Sequence, residues 1–140
     1  MLTGIMGRRH RIVKDPKLSR IVERIVEQLG LNYIDVSRVA VVRNLDSSSP
    51  AYARIYSVPR PIAVAFDLGP LYAIEIIHRN FEKLDCVAKL RVLVHELLHI
   101  PKSFSGSLLP HRSDVFSDSN ISKMLTRLNL ESLCRELGYK

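Results

Sequence analysis

Long hydrophobic runs are missing from this chain of 140 residues. No apolar stretch approaches the ~20 residues of a membrane-spanning helix. The basic N-terminus, Met1 to Lys14, has no apolar core of the kind a secretory leader carries. A cytoplasmic protein with no membrane contact is the expectation. Cysteine is scarce as well, with only 2 residues, Cys86 and Cys134. Two fall short of a disulfide framework, and a reducing compartment disfavours even one bridge, so both are expected as buried thiols. Acidic residues are outnumbered, 14 against 21 Lys+Arg, for a net charge of +7. That balance favours acidic partners, nucleic acid among them. Repeats and low-complexity segments are also absent. What remains, 46% hydrophobic and 25% charged residues, is the composition of one folded domain with a real core.

Residues 1–14 carry Arg8, Arg9, His10, Arg11 and Lys14 among few apolar neighbours and read as a solvated basic arm. A single domain is expected over 15–140. Asp15-Pro16 supplies an N-cap and a proline at the first helical position. Leu18, Ile21, Val22, Ile25, Val26 and Leu29 then recur at helical spacing up to Gly30, a left-handed stop. Strands are expected over Val36 to Leu45, Tyr52 to Val58 and Leu71 to Ile77, with a short extended piece near an edge over Ile62 to Phe66. A helix follows from about Lys83 to Ile100, stopped by Pro101. Beyond it, Ile121, Met124, Leu125 and Leu128 form a helical stripe capped by Ser119 or Asn120. A break near Asn129 separates it from a last helix closed by Gly138.

The chemistry concentrates in Val94-His95-Glu96-Leu97-Leu98-His99-Ile100, an instance of H-E-x-x-H. Positions four apart share one face of a helix, so His95 and His99 can direct two imidazoles at one tetrahedral Zn²⁺. Glu96 sits where it can take a proton from the activated water without being a ligand. Every other residue from Val92 to Ile100 is apolar. Three ionisable groups in such a segment cost several kcal/mol unless something satisfies them, and a cation does so. A third ligand must come from elsewhere. His111 lies twelve residues past His99, beyond a glycine-containing turn; Asp114 and Asp118 are the other nearby candidates. Asp114 could instead orient a histidine by hydrogen-bonding it. His10 and His78 read as surface or loop groups.

The segment HELLHIPKSFSGSLLPH resembles that of small metallopeptidases of phages and archaea, which are zincin-like and distantly similar to SprT-like proteases. The resemblance spans roughly residues 50–128. It implies His95, His99 and His111 as ligands of one Zn²⁺ per chain and Glu96 as general base. It also implies a minimal zincin-like α+β fold: an N-terminal helix, a small three- to four-stranded mixed sheet with an edge strand beside the metal cleft, the HExxH helix, and a C-terminal helix or helix pair. The chain departs from better-known relatives. Metzincins place the third histidine six residues past the second, and no glutamate occurs in Ile121 to Leu128 for a thermolysin-like site.

A zinc metallopeptidase acting on a peptide or protein substrate is the reading this supports. An oxyanion needs a further donor, for which Arg112, directly after His111, and Tyr72, on an expected edge strand, are the candidates. Two other classes stay open: a zinc-dependent RNA hydrolase or maturation factor, favoured by the basic surface, and a non-catalytic zinc-binding or nucleic-acid-associated module.

Overall fold

In a computed structural model that describes residues 9–140, the chain is an α+β fold compatible with a small zincin-like domain. Among the described residues it has six α-helices and one four-stranded mixed sheet. Arg8, counted above with the basic arm, lies outside the described residues. The arm's end is not free chain: Ile12–Lys14 forms strand β1 and pairs antiparallel with Val42 to Asn44.

Helix α1 (Pro16–Leu29) forms where the sequence predicts it. Asp15 caps it by accepting from the Leu18 N–H, and Gly30 ends it at φ 66°. Its six striped residues are all buried, each contributing roughly 1.5–3 kcal/mol of gross transfer energy. Strand β2 (Val39–Asn44) is shorter than expected because Asp35 caps a 3-10 turn over Val36–Arg38. β3 (Ala53–Ser57) and β4 (Tyr72–Ile77) form where strands are expected; β3 alternates half-buried and exposed residues, while β4 is buried at every position but Ala73.

The order across the sheet is β1-β2-β4-β3, with β2 and β4 parallel and both outer pairs antiparallel. β4 is therefore an inner strand, and β3 is the edge. This corrects the expectation that Tyr72 stands on an edge strand. Val39, Val41, Tyr72, Ile74 and Ile76 share the face buried against α1 and the H-E-x-x-H helix.

Residues 62–66 are not extended. Residues 62–65 belong to helix α2 (Arg60–Ala65), with Phe66 at its C-cap; proline occupies its first turn, where its missing N–H is harmless and its fixed φ suits a helix. After the short α3 (His78–Phe81), helix α4 begins at Cys86, with Asp85 accepting from the Ala88 N–H, and ends at Leu97. Helices α5 (Asp118–Leu125) and α6 (Leu130–Glu136) break at Asn129 as expected, but Ser117 caps α5, not Ser119 or Asn120. Cys86 and Cys134 are not thiols: they form a disulfide that ties the first turn of α4 to α6. No helix among the described residues is long and apolar enough to cross a membrane.

Candidate metal centre

His95 lies in the last turn of α4, while His99 lies two residues past its end. The backbone still turns helically there, with Leu98 donating to Val94 and His99 to Glu96. The i,i+4 stacking therefore survives, and the two rings stand 5.2 Å apart.

The third imidazole arrives through a closed loop. The Leu109 N–H donates to the His99 carbonyl at 2.7 Å, and the His99 Nδ1–H donates to the Leu109 carbonyl at 2.6 Å. A carbonyl can only accept, so the proton sits on Nδ1 and the Nε2 lone pair is available to a cation. Upstream in the loop, the Tyr72 hydroxyl accepts from the Gly106 N–H at 2.8 Å and donates to the Ser107 carbonyl at 3.0 Å. Phe104 stacks on the Tyr72 ring at 5.2 Å. With both points pinned, His111 is delivered against the helix, its Nε2 3.0 Å from that of His95.

The donor set fits a metal ion. One ring nitrogen from each of His95, His99 and His111 lies within 4.8 Å of the others. Two nitrogens at 2.0–2.1 Å from a tetrahedral Zn²⁺ are about 3.3 Å apart, close to the separation of His95 and His111. The burial gradient suits such a site, with His99 buried, His95 half-buried and His111 exposed. Burial, and then the neighbouring imidazoles, hold His95 below the ordinary histidine value. Burial also lowers His99, against the opposing effect of its bond to Leu109. Both favour the neutral form that a metal requires.

Glu96, 8% exposed, has its carboxyl pushed up to about 7 by burial. A nearby cation would pull it back toward the carboxylate. It shares with the three histidines a cavity of about 570 Å³ whose far wall is Ala53 to Tyr56 on β3.

The remaining candidates take other roles. Tyr72 is 3% exposed, its hydroxyl is engaged with the loop, and it is not among the residues that line the histidine cavity. Arg112 is exposed beside His111. Asp114 begins a 3-10 turn capped by Ser113, and Asp118 begins α5 at 3.9 Å from Arg91; neither joins the histidine cluster. The partner of His99 is a backbone carbonyl, not Asp114. His78 bonds Arg43 at 3.0 Å, and His10 is exposed near Asn44.

Sequence reasoning missed two contributors. The Leu109 carbonyl carries no residue signature. Phe116, whose ring lies 4.5 to 5.2 Å from all three imidazoles, looks in sequence like an ordinary core residue.

A family model described as "Putative phage metallopeptidase" matches residues 10–129. No curated protein and no solved structure matches the chain. The family match spans both the sheet and the whole histidine cluster. The chain belongs to this phage metallopeptidase family.

Proposed function

We propose that the chain is a zinc-dependent peptidase in which His95, His99 and His111 hold one Zn²⁺ and Glu96 is the general base. The observation that carries this reading is the convergence of three imidazoles beside one buried carboxyl, in a groove walled by a sheet edge. A zinc ion in that donor set supplies Lewis acidity, activating water and polarising the scissile carbonyl.

Glu96 takes the proton of the attacking water and passes it to the leaving amine. His99 is held in one tautomer by Leu109, and His111 is held in place by the loop that Leu109 and Tyr72 close. The substrate lies extended against β3, borrowing its unpaired backbone groups. Arg112, exposed next to His111, would donate to the developing oxyanion.

Elemental analysis and peptide hydrolysis together test this reading. Wild-type protein should carry one equivalent of zinc and cleave an unstructured protein substrate. His111→Ala should lose most of the metal, and a chelator should abolish cleavage. Full zinc in His111→Ala would refute the ligand set.

A further inference from the structure

The groove beside the histidines does not end at them. Its two walls continue as the same two stretches of chain, β3 running on into Val58 and Arg60, and the loop running back from Leu108 to Ser105. Between these extensions lies a second cavity of about 340 Å³, floored by Ala63 and Val64 of α2. Both walls are pinned. Arg38 Nη1 donates to the Leu68 and Pro70 carbonyls at 2.7 and 3.0 Å, fixing the turn that carries Gly69. Tyr72 fixes Gly106 and Ser107. A cavity with walls held this way is largely pre-formed. Its apolar floor is open, Val64 being 63% exposed, although nothing in the fold of this chain covers it among the described residues.

The backbone of β3 says what runs between the two cavities. Val58 donates to Leu71 and Ile77 donates to Tyr52. With Ser57 opposite Tyr72, the even-numbered residues of β3 are the hydrogen-bonded pairs of the ladder. The N–H and C=O groups of Ala53, Ile55 and Ser57 therefore point to the free edge. Those three residues, unpaired on that side among the described residues, form a row leading from the histidine cluster to the second cavity. An added strand would be antiparallel, the pairing that is more stable per residue, so its N-terminal side would pass Ser57. From Ile55 to Val58 is three residues, about 10 Å along a strand.

Resting on the peptidase reading, we propose that this second cavity is a specificity subsite for a bulky apolar side chain about three residues N-terminal to the scissile bond. Substrates are then selected by one apolar anchor read at a distance from the chemistry, in extended segments that can add to the β3 edge.

The test compares two peptides that differ only at that position, Leu against Gly. Wild type should cleave the Leu peptide about tenfold better in kcat/KM. Ala63→Phe, which fills the cavity, should bring the ratio close to one. Val64→Lys, at an exposed position that tolerates a charge, should lower it as well. Binding of both peptides to Glu96→Gln, which retains the groove, separates the two readings. Leu-selective binding that Ala63→Phe removes, with no cleavage of either peptide by wild type, would uphold the subsite and remove the peptidase. Cleavage with no Leu preference, or a preference that both variants leave intact, would overturn the subsite alone. A dimer in sedimentation that Ala63→Phe dissociates would also overturn it, since the cavity would then serve a second copy of the chain.

Discussion

Glu96 and Tyr72 show how burial assigns roles to individual side chains. Glu96 lines the cavity, and among the described residues no side chain donates a hydrogen bond to its carboxyl, which suits the proton-transfer role proposed for it. Glu96→Gln should keep one equivalent of zinc and lose about 10²–10⁴-fold in kcat. Loss of zinc together with activity would point to a structural role instead. Tyr72 works through the loop, to which its hydroxyl makes two bonds. Tyr72→Phe leaves the Gly106 N–H and the Ser107 carbonyl without partners, at about 1–3 kcal/mol. It should weaken zinc binding, measured by chelator competition, while Glu96 is untouched; an unchanged zinc Kd would refute the positioning role. His95, Glu96 and His99 were readable in the sequence because their relation is local, one helical turn. The role of Tyr72 was not, because whether a strand is edge or interior depends on pairing order across the sheet.

At the scale of elements, the corner between α3 and α4 is held to β2 and α1 by a polar cluster. Arg43 bonds Asp15 at 2.9 Å and Glu82 at 2.6 Å, and Lys89 reaches Glu82 at 3.4 Å beneath Phe81 and Tyr139. For Glu82, partial burial works against the charged form. The hydrogen bond from Arg43 and the charges of Lys89 and Arg43 outweigh it, so the pKa falls below 4.5. A carboxylate with a lowered folded pKa adds stability that is present above its unfolded value and is lost as pH falls through the folded one. Glu82 is 44% exposed, so the amount is small after solvent screening, about 0.2–1 kcal/mol. Urea titrations should show wild type losing its margin over Glu82→Gln as pH drops below about 4.5; a margin independent of pH would exclude the ion pairs as its source. α1, α4, α5 and α6 were legible from periodicity, whereas α3, only four residues long and without a side-chain cap, was not. α2 was misread because Pro59 and Pro61 exclude a central strand equally well by starting a helix.

Across the whole molecule, the disulfide is the contact that joins distant chain. Cys86 and Cys134 are 48 residues apart in sequence. On the chain-entropy argument, closing a loop of that length stabilises the fold by up to about 4 kcal/mol. Replacing both by Ser should lower the urea midpoint and raise the slope, since the unbridged unfolded chain is less compact, and a reductant should shift wild type toward the variant. Coincident midpoints would mean that the bridge contributes nothing. The expectation of two thiols rested on compartment and count, and neither one measures distance. The bridge forms because α6 packs on the start of α4, a meeting that no local pattern announces.

Local periodicity, caps and the four-residue spacing of two histidines were sufficient to specify α1, α4, three of the four strands and two histidines of the candidate centre, since each depends on neighbours within a turn or a pleat. The ends of the loop from Ile100 to Pro110 are held by bonds between residues ten or more positions apart, His99 with Leu109 and Tyr72 with Gly106 and Ser107. The arrival of His111, the edge position of β3, the disulfide and the second cavity all follow from such long-range pairings. Their energies exist only once the sheet and helices have packed, so no short window of sequence can encode them.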